Sequence, residues 1–368
     1  MKSILVISRS FYPDNSPRAF RTTELVKEFS RQGHNVILLT TKLSPSQQKY
    51  ADDINIEIKS MGVISWPTIN IVGRGLFLYI KRALRRILQL SISYPELQYM
   101  FMINKALKNI KGFDLLISIA VPYSVHWGVA LRRNKKNKIA KVWIADCGDP
   151  FMGQENDTFK YPFYFKYVEK WFMKKTDFVS VPTVGAISAY YPEFKDKIKV
   201  IPQGFDFNFY FKTEDKHNDN VPTFGYAGTL IRGRRDPKEF IAYILSLKTD
   251  FIFYVYTKNT DLIEPFLQQS KGRVILKSLV PREKLLQELS QLDFVVNFEN
   301  VGNKQTPSKL IDYVIINKPI LSIKTGNLNI DIINEFLAGN YNNKFIVNNH
   351  DQYRIENVCK QFLNLVKD

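Results

Sequence analysis

Short apolar runs of strand length alternate with amphipathic stretches through almost the whole chain. SILVISRS (3–10) and NVILLT (35–40) bracket RTTELVKEFSRQ, where Leu25, Phe29 and neighbouring apolar positions form one stripe that Gly33 closes. This strand, loop, helix, strand order is a βαβ beginning, and it predicts parallel strands in a doubly wound α/β sheet. Further strands are expected at 114–120 (DLLISIA), 141–146 (KVWIAD) and 177–182 (DFVSVP), with KIKVIPQGF (197–205) ending the first half. Residues 212–221 (KTEDKHNDNV) are polar and rich in turn formers, which marks a linker. The pattern then restarts with TFGYAG (223–228), FIFYVYT (251–257), RVILKS (273–278), DFVVNFE (293–299) and PILSI (319–323), helices lying between them. Two βα domains follow, 1–205 and 206–368, with the final helix able to pack back on the first. Ligands of such sheets sit beyond the carboxyl ends of the strands, so a tandem pair is expected to enclose a cleft.

One stretch departs from this alternation. In VGRGLFLYIKRALRRILQL (72–90), Phe77, Ile80, Ala83, Leu84, Ile87 and Leu88 fall at helical spacing, while Lys81, Arg82, Arg85 and Arg86 gather on the remaining surface. Such a helix can lie in a lipid headgroup layer, apolar side down. It can equally pack on a core with a solvated basic face, and the pattern leaves both open. LRRNKKNKIAK (131–141) adds positive charge but reads as an ordinary helix end and loop.

Composition fits two globular domains: 368 residues, 45% hydrophobic and 24% charged. No run approaches the roughly 18 uncharged apolar residues of a membrane span. The Ile4 to Ile7 run is too short for a signal-peptide core and is soon followed by Arg9, so a cytoplasmic location is expected. Cys147 and Cys359 are the only cysteines and neither has a partner at metal-ligand spacing, so no metal site is expected. The net charge of +17 is uneven, with +15 in residues 1–200 and +2 in the remainder. Nucleic acid or an anionic lipid surface would each suit that basic first half.

TPSKLIDYVIINKPIL (306–321) is the richest stretch in candidate chemistry. Pro307 and Ser308 suit a helix start, where free backbone N–H groups attract an anion, and Lys309 would strengthen that site. Asp312, three residues on, shares the face of Lys309 and can accept hydrogen bonds from a pair of ribose hydroxyls. A surface Lys/Asp pair on an ordinary amphipathic helix is the alternative.

Taken in order, the motifs resemble those of a retaining glycosyltransferase of family 4. They are FYPDNSPRAFR with GHNVILLT, WIADCGDP, VIPQGFD, FGYAGTLIRGRRDP, SLVPREKLLQEL and PSKLIDYVIINKPIL. The resemblance covers nearly the whole chain and implies the GT-B architecture, two facing Rossmann-like domains with a cleft between them. It implies a donor site in the second domain made by Gly228, Thr229, Gln305, Pro307, Ser308, Lys309 and Asp312, the last on the ribose. Arg234 and Arg235 would grip the diphosphate, with Arg232 a weaker candidate in the same loop. Asn15, Ser16 and Arg18 lie in the phosphate and acceptor loop after the first strand. Asp149 would be the acidic site group of the first domain, unless it caps a helix. His126 would reach the acceptor side, unless it is structural, and His34 reads as packing.

The chain departs from the family pattern at three places. Gln305 stands where the first of two glutamates is usual, and Glu299 is too early to replace it. Asn15 and Ser16 replace paired glycines. Gly148 and Asp149 stand where relatives place His or Arg before an Asp.

The resemblance implies a metal-independent, hexosyltransferase-type enzyme without a cofactor. It would move a sugar from a nucleoside diphosphate sugar to a hydroxyl of a lipid-linked glycan, in polysaccharide biosynthesis for the cell envelope. Its place would be peripheral, on the inner face of the membrane, with Lys81, Arg82, Arg85 and Arg86 on anionic lipid and no nucleic acid partner. The rival readings are a nucleotide-sugar epimerase of the same architecture and a non-catalytic module that binds membrane or nucleic acid.

Overall fold

The computed structural model describes residues 1–14, 16–72, 75–134, 136–154, 159–208, 221–299 and 308–366. They fall into two compact units, Met1–Phe205 with Gln352–Asp368, and Asp206–Asp351. The linker expected at 212–221 lies, apart from Val221, outside the described residues.

The first unit is built on a seven-stranded sheet of β1 (Ser3–Ser8), β2 (Asn35–Thr40), β3 (Glu57–Ser60), β4 (Phe113–Ile119), β5 (Ala140–Asp146), β6 (Phe178–Val181) and β7 (Ile198–Val200). Every pairing is parallel, in the order β3-β2-β1-β4-β5-β6-β7. Ile4, Leu5, Val6 and Ile7 of β1 are all inaccessible, as a central parallel strand covered on both faces requires. Sequence pattern misses β3, because it is an edge strand with Ile58 alone turned inward. The helices are α1 (Pro17–Arg31), α2 (Pro45–Asp53), α3 (Leu76–Ile92), α4 (Gln98–Ala106), α5 (Ser124–Arg132) and α6 (Phe165–Lys175). Ser16 caps α1 by accepting from the Ala19 amide at 3.2 Å, with Pro17 at the first helical position.

Helix α3 starts four residues later than its hydrophobic pattern suggests, after Gly75 at φ +79°, and ends at Ser93 in the left-handed region. None of its residues is buried. Phe77 is 78% exposed and Ile87 59%, so the core-packed alternative for this helix does not hold. No helix among the described residues is long and apolar enough to cross a membrane.

The second unit carries a five-stranded parallel sheet of β8 (Thr223–Ala227), β9 (Ile252–Tyr256), β10 (Val274–Lys277), β11 (Phe294–Phe298) and β12 (Ile320–Ile323), ordered β10-β9-β8-β11-β12. Its helices are α7 (Lys238–Ser246), α8 (Glu264–Leu267), α9 (Arg282–Ser290), α10 (Ser308–Ile315) and α11 (Ile330–Leu337). Phe224 stacks between Phe253 and Phe294 at ring separations of 4.9 and 4.6 Å, filling the core at the sheet centre.

The last helix, α12 (Ile355–Leu363), belongs to the first unit rather than to the sheet it follows. Its Ile355, Val358, Cys359 and Phe362, spaced i, i+3, i+4 and i+7, share a core with Leu25, Phe29 and Val36. Gly204 makes room for it, since a Cβ there would fall 2.4 Å from Ile355 Cδ1. Buried Arg21 locks the same region. It donates twice to Asp146, at 2.9 and 3.1 Å, donates to the Ile201 and Pro202 carbonyls, and lies over the Phe362 ring.

Candidate functional site

In the second unit the sheet order reverses between β8 and β11, and a doubly wound sheet presents its ligand crevice beside such a point, at the carboxyl ends of its strands. A cavity of about 330 Å³ opens at those ends, lined by the residues that leave β8 (Ala227, Gly228, Thr229) and β9 (Tyr256, Thr257, Lys258), and by α10 through Lys309, Asp312 and Tyr313. Leu279, Val280 and the α9 leucines form an apolar wall. Tyr313 fixes α10 in place, because its buried hydroxyl donates to the Val296 carbonyl at 3.1 Å and accepts from the Ala227 amide at 3.2 Å. Gly228 sits at φ +151°, and a Cβ there would stand 3.0 Å from the Tyr226 hydroxyl and 3.6 Å from Lys309 Cδ.

The cationic end of the cavity centres on Tyr226. Lys309 Nζ lies 4.5 Å from the centre of the Tyr226 ring and 3.5 Å from both its hydroxyl and the Phe298 carbonyl. Burial, helped by the neighbouring Arg235 guanidinium, pushes the Lys309 ammonium down to about 7. Burial raises the Tyr226 phenol to about 12, and Arg235 opposes that rise from beside the hydroxyl. Arg235 Nε is itself buried and meets no hydrogen-bond partner among the described residues. Two cations therefore converge at one point, and neither is paired with a carboxylate among the described residues.

The loop that delivers Arg235 is held by short contacts. Asp236 accepts from the Gly233 and Lys238 amides, and the Thr325 hydroxyl accepts from the Asp236 amide and donates to the Arg234 carbonyl. Of the three arginines singled out in this loop, only Arg235 turns inward. Arg234 is exposed, and Arg232 stands 4.0 Å from Asp261 at the surface.

Asp312 lines the cavity but is not solitary. Arg282 donates to its Oδ1 through Nε at 3.0 Å and Nη2 at 2.5 Å, and no hydrogen bond from a described residue reaches Oδ2. Burial raises the carboxyl of Asp312 and Arg282 opposes the rise. Arg282, Tyr256, Thr257, Lys258, Leu279 and Val280 are missed by sequence reasoning, although the ends of β9 and β10 are where the strand rule directs attention. Gln305 and Pro307 lie outside the described residues; Ser308 opens α10.

In the first unit Asp146 ends β5, and Gly148 and Asp149 follow it. Burial raises the Asp146 carboxyl, but Arg21, Arg18 and Ser180 outweigh it and hold the group below its ordinary range. The Arg18 guanidinium lies across Gly148, and a Cβ on that glycine would fall 1.6 Å from Arg18 Nη2. Asp149 is exposed and its carbonyl accepts from the Tyr123 hydroxyl at 2.5 Å. No helix begins at Asp149, so the capping alternative fails. Ser16 is the cap of α1, and Asn15 lies outside the described residues.

His126 does not reach a ligand surface. It is fully buried on α5, with Nδ1 2.8 Å from Ser118 Oγ and Nε2 3.5 Å from Cys147 Sγ, and its ring stacks on Phe172. Burial pushes it down to about 3, the nearby Asp146 opposing, so it is a neutral core histidine. The sequence places it at a helix start; the apolar residues around it, Val125, Trp127 and Val129, turn that start into the core.

No protein-family model matches the chain, and no curated protein matches it. Solved structures do. A glycosyltransferase from Rickettsia africae ESF-5 aligns at TM-score 0.61 and 13% identity, over 100% of this chain and 98% of that one. TarM aligns at 0.60 and 12%, over 100% and 99%. The catalytic domain of starch synthase IV from Arabidopsis thaliana aligns at 0.57 and 10%, over 99% and 98%. Identities this low speak for fold, and the fold of this chain is the GT-B fold, two Rossmann-like domains in one polypeptide.

Proposed function

We propose that this protein is a glycosyltransferase that takes a sugar from a nucleoside diphosphate sugar bound in the cavity of the second unit. The observation that carries the reading is the convergence of Lys309 and Arg235 on Tyr226, with Arg235 Nε buried and unsatisfied among the described residues. A diphosphate fits that place: it supplies the missing acceptor and the missing negative charge. The apolar wall of Leu279 and Val280 suits a nucleobase, and Asp312 Oδ2 suits a ribose hydroxyl. Among the fold neighbours, a TarM structure contains UDP and starch synthase IV contains ADP, which agrees with this use of the fold.

The chemistry follows from charge. As the glycosidic bond breaks, the diphosphate gains negative charge, and cations already fixed beside it stabilise that state more than the bound donor. Lys309 and Arg235 are the groups so placed, and with them the reading assigns a metal-independent transfer. Retention of anomeric configuration and a lipid-linked glycan acceptor in envelope polysaccharide synthesis rest on the sequence resemblance. The exposed basic helix α3 supports a place at an anionic membrane, where such an acceptor is found.

Calorimetry with uridine, adenosine and guanosine diphosphates and their sugars tests the donor site. At least one is expected to bind, and Lys309→Ala with Arg235→Ala to abolish that binding. Failure of every nucleotide overturns the proposal. Donor turnover in the absence of any acceptor, giving an epimerised sugar, would assign the same site to the epimerase reading.

A further inference from the structure

The apolar face of α3 does not stop at that helix. Into and through the first turns of α6 the chain reads FKYPFYFKYVEK (159–170), and Phe163 and Tyr167 stand 76% and 67% exposed. Phe163, in the turn that leads into α6, and Tyr167, in its first turn, are exposed together with Lys166, whereas Lys170 is partly buried and ion-paired with Glu193. The opposite stripe of α6, Phe165, Glu169, Phe172 and Met173, is buried, so Tyr167 sits on a firmly seated helix and Phe163 on the turn that enters it. The two elements touch: the Tyr164 hydroxyl donates to the Ser91 carbonyl in the last turn of α3, and Arg86 lies 5.9 Å over the Phe159 ring.

We propose that the turn into α6 and the first turn of that helix, through Phe163 and Tyr167, form a second membrane-insertion element that works with α3 to seat the first unit on an anionic bilayer. The inference rests on the membrane reading of α3 and extends it. The described residues 75–95 and 159–168 together hold six Lys or Arg and no Asp or Glu. A second copy of the chain would set those cations against each other in a two-fold contact, and nucleic acid would leave Leu76, Phe77, Ile80, Phe163 and Tyr167 without apolar cover. A bilayer surface satisfies both. Aromatic rings lodge at headgroup level, lysine stems lie along the apolar surface, and their ammonium groups reach the lipid phosphates.

Cation attraction fades with salt, whereas ring burial does not, so the two elements separate in one experiment. The whole protein is co-sedimented with phosphatidylcholine vesicles holding about one third phosphatidylglycerol, at low and high salt. The wild type should bind at low salt and retain part of its binding at high salt. Phe163→Ser with Tyr167→Ser should lower partitioning at least about tenfold at high salt, with an unchanged melting temperature. Lys81→Glu, Arg82→Glu and Arg85→Glu together should lose the low-salt binding. Full retention by the aromatic double variant, alongside loss by the triple variant, overturns this inference and leaves α3 as the sole docking element. A wild type that ignores the vesicles overturns both, as does a lipid-free dimer that the double variant dissolves. Should the double variant unfold, a nitroxide on Phe163→Cys decides. The native Cys147 and Cys359 are buried, and the label must gain accessibility to oxygen when vesicles are added.

Discussion

Lys309 offers the sharpest test of the donor site, because its surroundings make binding of a diphosphate sugar take up a proton. Burial and Arg235 hold its pKa at about 7 in the free protein, against 10.5 for an ordinary lysine. At pH 8 the ammonium form is then present in only about one molecule in ten, and at pH 6 in about nine in ten. A diphosphate against Lys309 favours the charged form, so the pKa rises in the complex. Binding should take up about 0.9 proton at pH 8 and about 0.1 at pH 6, and affinity should fall close to tenfold per pH unit above 7. A nucleoside diphosphate sugar is the right probe, since each of its phosphates, with one ester and the shared anhydride, has a single strongly acidic oxygen and does not titrate in this range. Calorimetry in two buffers of different ionisation enthalpy at pH 8 reads the uptake directly. Lys309→Arg keeps its charge at every pH used, so its uptake should vanish and its pH dependence flatten. The free protein should show the opposite trend in stability. Its folded Lys309 binds the proton less tightly than the unfolded chain does, so stability rises with pH from about 7 towards 10.5. Wild-type affinity that is flat from pH 6 to 9, with no buffer-dependent heat, would refute the placement of the donor phosphates beside Lys309.

The remaining predictions concern neighbouring groups. Arg235→Ala should lower turnover by about 1.5 to 3 kcal/mol of barrier, whereas exposed Arg234→Ala should stay within about 0.5 kcal/mol; equal effects in steady-state kinetics would contradict the inward turn of the loop. Wild-type protein should favour a ribonucleoside diphosphate over its 2′,3′-dideoxy analogue, and Asp312→Asn should shrink that preference; a preference untouched by the substitution would remove Asp312 from the ribose. Gly148→Ala must displace Arg18, whose Nη2 lies 1.6 Å from the position of the new Cβ, so transfer should slow while donor affinity in the second unit holds. Unchanged turnover in that variant would show that the lie of Arg18 across Gly148 has no part in catalysis.

The strands were legible because they are extreme cases. A central parallel strand such as β1 is continuously apolar from Ile4 to Ile7, and its short run between polar residues sets it apart from the longer helical patterns. Edge strand β3 is illegible for the opposite reason, having Ile58 as its one inward residue between polar neighbours. The pattern at Ile355, Val358, Cys359 and Phe362 announces a helix and a buried face but not the core that receives it. That choice depends on the gap at Gly204 and on Arg21 beneath Phe362, both remote in the chain. For α3 the pattern was sufficient to find the helix and insufficient to say what covers it, since an amphipathic repeat is the same whether protein or lipid lies underneath.

Site residues divide along the same line. Lys309 and Asp312 could be paired on paper because three residues of helix fix their relation, whatever the rest of the molecule does. Choosing Arg235 over Arg234 needed the turn at Gly233, at φ +71°, and the contacts of Asp236 and Thr325 that aim the loop. The partnership of Asp312 with Arg282 joins two helices and carries no local signal at all. Gly148 makes the point most sharply. Read along the sequence, it is a position with no side chain beside two aspartates. In space the place is filled, because the guanidinium of Arg18 lies where a side chain at 148 would project and stands 3.8 Å from Asp146. Helix α1 is in register to supply it, since Arg21, one turn further along, is already bound to the same carboxylate. A positive group therefore occupies this point, supplied by α1, and the missing side chain at 148 is the condition that lets Arg18 lie there.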